Sequence, residues 1–188
     1  ARWGLVPPWA ESPKVGGRMI NARAEGLADK SAWRRPFATG RRCLVAADGF
    51  YEWRSGQAYY AHRPDGGVLA FAGLWETWRP RRGSGAAEPE GELVSCAIVT
   101  TVAGEDMAPV HDRMPAVLAP GAWDGWLDPA NDDLAGLAAL LGPLPPGALE
   151  LTPVGPRVGN VANDGPDLIE PVPEEAPPAP QMELFPPV

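Results

Sequence analysis

Five apolar runs separated by turn residues dominate the first hundred residues of the chain. They cover residues 42–47, 50–54, 57–63, 68–74 and 93–101, with Asp-Gly pairs at 48–49 and 65–66. Short runs rich in β-branched and aromatic residues and bounded by Gly, Pro and Asp are typical of β-strands. Because four of them follow one another closely, they predict an antiparallel meander.

Helical spacing is confined to short segments. Residues 24–38 are good helix formers, and we expect Pro36 to end or kink that helix. Two further helices are predicted at 120–127 and 131–141, and a last strand at 148–154. The second of these helices carries a leucine stripe typical of core packing, formed by Leu134, Leu137, Leu140 and Leu141. We therefore predict an α+β fold with an antiparallel, partly barrel-like sheet core and short peripheral helices.

Length and composition indicate one domain over residues 1–172. A Gly/Pro-rich, polar insertion at 79–92 is expected to be a flexible loop, and 173–188 a disordered Pro/Glu-rich tail, since 171–188 holds 7 prolines. No apolar run is long enough for a membrane span. The chain begins at Ala1 without a methionine, so we expect that an N-terminal segment has been lost. Two cysteines without a zinc or disulfide pattern favour a reducing cytoplasm and no metal or cofactor.

The net charge of −8 conceals an asymmetry. Residues 1–82 hold 14 basic and 7 acidic side chains, which gives +7, whereas residues 83–188 hold 2 and 17, which gives −15. A basic half is often only a solvated surface, but it is also what a phosphate-binding face requires.

The stretch ADGFYEW at residues 47–53 carries the most informative carboxylate, Glu52. In a strand, Phe50 and Glu52 share one face, and Tyr51 and Trp53 share the other. A carboxylate in so apolar a run is partly desolvated, which raises its pKa and suits a general acid or base. The alternative is an edge-strand glutamate that faces water.

Two other stretches add polar side chains. Asn21 and Arg23 end a Gly-Gly loop, and an arginine fork is suited to phosphate, although both could equally belong to a solvated loop. His111 is suited to proton transfer near neutral pH, and Arg113 shares its face in an extended segment. Trp9, on a proline-rich loop, could stack on a base or be a core residue.

Three motifs in order, INAR at 20–23, ADGFYEW at 47–53 and HDRMP at 111–115, followed by GNVANDG at 159–165, resemble the SRAP family (SOS response-associated peptidase) of abasic-site processing proteins. The resemblance covers about residues 3–172. It implies a monomeric, cytoplasmic protein, nucleoid-associated when bound to DNA, that acts in the DNA damage response on single-stranded DNA containing abasic sites.

The same resemblance implies an activity and roles for residues of this chain. The family forms a covalent thiazolidine crosslink through an N-terminal cysteine exposed by autocatalytic removal of the initiator methionine. By this likeness Asn21, Glu52 and His111 would be catalytic. Asn21 would orient the amine and sugar, and Glu52 and His111 would move protons. Trp9, Arg23, Thr100 and Arg113 would contact DNA.

One feature departs from the family pattern. The nitrogens of Cys43 and Cys96 lie in peptide bonds, so neither residue can supply a 1,2-aminothiol, and we expect this chain to be inactive in crosslinking without the missing cysteine. Two alternatives remain. One is a non-covalent binder of single-stranded or damaged DNA. The other is a peptidase acting on other proteins, which the lack of an internal nucleophile or a metal-ligand set disfavours.

Overall fold

The computed structural model describes residues 1–80 and 91–174. Most of the predicted loop at 79–92 and of the predicted tail at 173–188 lies outside these residues. The strands are β1 (Arg2–Trp3), β2 (Asn21–Arg23), β3 (Arg42–Ala47), β4 (Gly49–Arg54), β5 (Gln57–His62), β6 (Leu69–Trp78), β7 (Leu93–Val102), β8 (Arg113–Pro115) and β9 (Glu150–Val154). The α-helices are α1 (Ser31–Ala38), α2 (Trp123–Leu127) and α3 (Leu134–Ala139).

The larger sheet, sheet A, is built around β7. One edge of β7 pairs with the parallel strands β1 and β2, and the other edge pairs with the antiparallel strands β6 and β8. After β8 the chain runs between β7 and β6, because the Ala116 N–H donates to the Val99 carbonyl while the Ala116 carbonyl accepts from the Ala72 N–H. This insertion spreads β6 away from β7 and curls sheet A into a half-barrel, which confirms the predicted α+β fold.

The smaller sheet, sheet B, is antiparallel in the order β4-β5-β9. The predicted meander is wrong at this point, since β3 pairs with β6 and not with β4. Asp48 alone separates β3 from β4, and one residue is too short for a hairpin loop. The chain therefore bends at Asp48 and enters the second sheet. Ser55 and Gly56, both with positive φ, then form the two-residue turn between β4 and β5.

Apolar side chains cover both faces of sheet A, which explains its nearly continuous apolar strands. On one face, Leu74 and Val99 pack with Trp33 and Phe37 of α1 and with Trp126 of α2. On the other face, Phe71 belongs to a cluster with Tyr59 of sheet B, Met107 before β8, Met114 of β8 and Leu149 just before β9. The second cluster joins the two sheets at the edge where β8 begins.

The helices are shorter than the sequence predicts. Residues 24–38 form a 3-10 turn at Ala24–Gly26 and then α1, which contains Pro36 in its last turn. The predicted stripe on α3 is partly wrong, because Leu137 and Leu141 are buried but Leu140 is exposed. No helix within residues 1–80 and 91–174 is long and apolar enough to cross a membrane.

Candidate functional site

A cavity of about 340 Å³ opens where sheets A and B meet. Six of the seven side chains singled out in the sequence lie in its lining: Asn21, Arg23, Glu52, Thr100, His111 and Arg113. The others are Trp3, Phe50, Tyr51, Phe71, Ile98, Met114 and Pro115. Three motifs that are 24 or more residues apart in the chain therefore share one concave surface.

Strand register explains how sheet A supplies half of this lining. Arg23 of β2, Thr100 of β7 and Pro115 of β8 are consecutive partners across three neighbouring strands. Paired residues project to the same face of a sheet, as do residues two apart along a strand. Asn21 and Arg23 therefore face the cavity, while Ala22 between them is fully buried on the opposite face.

Glu52 reaches the cavity from sheet B. It shares a face of β4 with Phe50, whose ring packs edge-on against Phe71 of sheet A at 5.8 Å between centroids. Burial raises the pKa of the Glu52 carboxyl, and the nearby Asp112 carboxylate adds to this, whereas His111 and a hydrogen bond from the Trp53 backbone N–H act in the opposite direction. The carboxyl is thus partly desolvated, as the sequence predicts, and is disposed to hold a proton.

The ring of His111 is oriented by its own loop. Its Nδ1 lies 2.9 Å from the backbone nitrogen and 3.1 Å from the carbonyl oxygen of Arg113, so the backbone of Arg113 fixes the position of the ring in either neutral tautomer. Nε2 has no hydrogen-bond partner among the described residues, and this leaves it available for proton exchange. The Asp112 carboxylate lies 3.2 Å from Nδ1.

Arg113 is held by protein groups on most sides. Its Nη1 and Nη2 donate to the two carboxylate oxygens of Glu25 at 2.7 and 3.0 Å. Nη2 also donates to the Thr100 carbonyl oxygen at 2.7 Å. Glu25 was not singled out in the sequence analysis, because nothing in the pattern of residues 23–25 indicates a partner 88 residues away.

The tryptophans are the clearest difference between expectation and structure. Trp3 is 57% exposed and lies in the cavity lining, with its indole N–H donating to the Ile20 carbonyl oxygen at 2.9 Å. Trp9 is 53% exposed but lies at a separate hollow with Pro7, Pro8 and Arg35. Only the pairing of β1 with β7 beside β2 brings Trp3 to the site, and no local pattern signals it.

The cysteines lie outside this lining. Cys43 and Cys96 are free and half-buried on β3 and β7. Burial raises the pKa of the Cys43 thiol to about 12 and also raises the pKa of the Cys96 thiol, so neither is an activated thiolate. Within the part of the chain that the structure describes, no cluster of three His, Cys, Asp or Glu side chains could hold a metal ion.

A second, larger depression of about 770 Å³ lies between the β5–β6 turn and the segments around α2 and α3. Its lining is apolar, with Val68, Trp123 and Leu140, and Arg63 is its only charged side chain. It therefore offers no pair of proton-transfer groups, and the smaller cavity is the better candidate for chemistry.

Comparison with known proteins gives a consistent result. The sequence model of the family described as SOS response associated peptidase (SRAP) matches residues 1–161. "Abasic site processing protein YoqW" of Bacillus subtilis (strain 168) is 39% identical over 175 residues, which are 90% of this chain and 74% of that protein. "Abasic site processing protein HMCES" of Gallus gallus is 33% identical over 197 residues, which cover 91% of this chain and 56% of that protein.

Solved structures show the same fold. A protein from Bacteroides thetaiotaomicron superimposes with a TM-score of 0.77 at 25% identity, covering 90% of this chain and 75% of that one. A protein from Bordetella bronchiseptica superimposes with a TM-score of 0.67 at 28% identity, covering 82% and 76%.

Proposed function

The chain belongs to the SOS response associated peptidase (SRAP) family, and we propose that it processes abasic sites in single-stranded DNA by forming a covalent crosslink. The observation that carries the proposal is the convergence of Asn21, Glu52 and His111 in one cavity whose carboxyl has a raised pKa. Relatives that carry the name abasic site processing protein support the choice of DNA with abasic sites as the partner.

The proposed reaction joins an aldehyde to an aminothiol. An abasic sugar in its open form presents an aldehyde. The α-amine of an N-terminal cysteine adds to the aldehyde carbon, the resulting carbinolamine loses water to give an imine, and the thiol adds to the imine carbon to close a thiazolidine. One water molecule leaves and no oxidant is required. Cys43 and Cys96 cannot supply this group, so we assign it to a cysteine that precedes Ala1 in the complete translation product.

These steps require proton transfers, and the cavity offers two groups for them. A carboxyl that retains its proton can donate to the departing hydroxyl and to the ring oxygen of the closed sugar. Glu52 is suited to this task because burial raises its pKa. Nε2 of His111, which has no hydrogen-bond partner among the described residues, can exchange a proton with the attacking amine or thiol. Asn21 can both donate and accept, and so can orient the amine and the sugar.

Strand binding is assigned to the basic and aromatic groups around the cavity. The side chain of Arg23 makes no hydrogen bond or ion pair with other described residues, and its guanidinium is therefore available to a phosphate. Arg113 and Thr100 lie beside it in the lining. Trp3 offers an exposed aromatic face at the cavity itself, and Trp9 could stack on a base further along the strand.

A denaturing gel tests this proposal. The complete translation product and the 188-residue chain are each incubated with a single-stranded oligonucleotide that contains one abasic site. We expect a heat-stable shifted band from the complete product only. An oligonucleotide whose abasic aldehyde has been reduced to an alcohol is the matched control and should give no band.

The position of the two internal cysteines favours one alternative, a non-covalent binder of damaged single strands. Absence of a shifted band with both proteins, together with retained binding on a native gel, would establish that alternative. A band of equal intensity from both proteins would contradict the assignment of the nucleophile to an N-terminal cysteine.

A further inference from the structure

Glu25 lies just behind the cavity and touches one of its arginines. It follows β2 in the 3-10 turn Ala24–Gly26, and 57% of its side chain is exposed. Its carboxylate accepts two parallel hydrogen bonds from Arg113, at 2.7 and 3.0 Å. Bidentate pairs of this kind fix the plane of the guanidinium as well as its position. The side chain of Arg113 is only 16% exposed, so the pair is partly sheltered from solvent.

Two further N–H groups of Arg113 are directed at Thr100. Nη2 donates to the Thr100 carbonyl oxygen, and Nε lies 3.4 Å from the Thr100 hydroxyl oxygen. A guanidinium has five N–H groups, and these contacts leave one N–H, on Nη1, without a partner among the described residues. Arg113 can therefore offer a phosphate a single hydrogen bond, unlike Arg23, whose whole fork is available.

The backbone of Arg113 acts on the proton carrier. Its N–H and its carbonyl oxygen lie 2.9 and 3.1 Å from Nδ1 of His111, so they hold the ring in place and set the balance between its two tautomers. Since the side chain of Arg113 is bound to Glu25 and to Thr100, the residue cannot shift without breaking these bonds. Glu25, Arg113 and His111 thus form one chain of contacts that ends at a ring nitrogen in the cavity.

Charge gives Glu25 a second effect. The hydrogen bonds from Arg113, and the charges of Arg113 and Arg23, lower the pKa of Glu25 to about 2, so it is ionised at neutral pH. A fixed negative charge beside two arginines weakens their attraction for a phosphate.

We propose that Glu25 is a positioning residue, which holds Arg113 and through it the ring of His111 in the reactive orientation, at the expense of strand affinity. This inference rests on the proposed function. It predicts opposite effects on two steps. Removal of the carboxylate should strengthen strand binding and slow the crosslinking reaction, a combination that a purely structural or a purely phosphate-binding role does not produce.

The kinetic test uses Glu25→Ala and Glu25→Asp in the complete translation product. With Glu25→Ala, we expect binding of an undamaged single strand to tighten about two- to threefold. At saturating abasic oligonucleotide, we expect the crosslinking rate to fall on the order of tenfold through misplacement of the reacting groups. Glu25→Asp keeps the charge and should restore part of the rate. Asp65→Asn is the matched control, because Asp65 forms a similar bidentate pair with Arg63 outside the cavity lining.

A second readout does not depend on activity. Nitrogen-15 NMR of the 188-residue chain reports the tautomer of each histidine, and the chain has two. His62 is an internal reference, because its ring nitrogens contact the Arg63 carbonyl oxygen at 3.0 Å and the Thr152 hydroxyl oxygen at 2.9 Å, outside the cavity lining. In Glu25→Ala, we expect the tautomer ratio of His111 to change while that of His62 stays unchanged.

The outcomes distinguish the positioning role of Glu25 from the proposed crosslinking function. An unchanged rate and an unchanged His111 tautomer in Glu25→Ala would overturn the positioning role. Equal losses of binding and rate, with a lowered melting temperature, would also overturn it and make Glu25 a stabilising residue only. If the wild-type protein forms no crosslink, the proposed function fails, and the tautomer measurement still decides whether Glu25 controls His111.

Discussion

Two glutamates that the fold shelters from water illustrate how the two sheets differ. Glu76, on β6 of sheet A, is 1% exposed and accepts hydrogen bonds from Arg35 at 2.8 Å, from Arg41, and from the Thr77 backbone N–H at 2.9 Å. Glu52, on β4 of sheet B, has no arginine or lysine partner among the described residues. The groups that act on its pKa, besides burial, are His111, the Trp53 backbone N–H and the Asp112 carboxylate.

The difference lies in whether burial is matched by a counter-charge. A buried carboxylate between two guanidinium groups is a fixed charge, and breaking the pair leaves unpaired charges. A half-buried carboxyl without a cation holds its proton more strongly and can exchange it, which is the property of a catalytic acid or base. Burial of a glutamate is therefore not enough to indicate a catalytic site. The carboxyl must also lack a paired cation.

The largest effect is expected when Glu52 is replaced. Glu52→Gln keeps the shape and removes the exchangeable proton, so the crosslinking rate of the complete translation product should fall by about 10² to 10⁴. Strand affinity should change by less than about twofold, since Glu52 is not expected to contact phosphates. Single-turnover gels and fluorescence anisotropy measure the two quantities, and equal losses in both would contradict the role assigned to Glu52.

Glu76 should show the converse behaviour. Glu76→Gln leaves Arg35 and Arg41 without their common partner and should lower the free energy of unfolding by about 3 kcal/mol, less than for a fully buried pair because both arginines reach solvent. Urea unfolding measures this change. The crosslinking rate of the folded fraction should be unaffected. A stable Glu76→Gln protein that cannot form a crosslink would show that the contrast between the two glutamates is mistaken.

The contrast extends to the arginines. Arg35 and Arg41 are bound to Glu76, whereas Arg23 has no ion-pair partner among residues 1–80 and 91–174. Arg23→Ala should weaken strand binding about tenfold at low salt and reduce the slope of log K against log salt by about one. Arg157→Ala, which removes an arginine paired with Asp167 outside the cavity lining, is the control and should leave both quantities unchanged. A loss of affinity for Arg23→Ala that is independent of salt would exclude a phosphate contact.

The smallest effect concerns stability and pH. The pKa of Glu52 is raised in the folded state. Its contribution to the free energy of unfolding is therefore fully present below the unfolded pKa of 4.5 and is lost as pH rises through the folded pKa. Glu52→Gln removes this loss. The variant should therefore melt at a slightly higher temperature than the wild type at pH 7, and this advantage should disappear at pH 4. Melting curves at the two pH values test the sign, and a variant that is less stable at pH 7 would contradict it.

Part of the site followed from local sequence. Alternation along residues 50–53 placed Glu52 on the same face as Phe50, and the register of β4 confirms it. The same rule put His111 and Arg113 on one face of an extended segment, and both lie in the cavity lining. Such statements hold because side-chain direction in a strand depends only on neighbouring residues. They required no knowledge of which strands pair.

Other features depended on long-range contacts. No local pattern indicated that β4 lies in a different sheet from β3, that Trp3 rather than Trp9 lies at the cavity, or that Glu25 pairs with Arg113. Each follows from pairing with β7, or from the bend at Asp48, and strand pairing is decided by the packing of the whole core.

The sequence by itself therefore determined which family motifs are present, where most of the apolar strands lie and which types of side chain the site contains. Only the tertiary structure decided which carboxylates are paired. An arginine 35 or 41 residues from Glu76, or 88 residues from Glu25, becomes a neighbour through folding alone. The electrostatic state of a glutamate depends on the charges and water within a few ångströms of it, and that environment is set by segments distant in the chain.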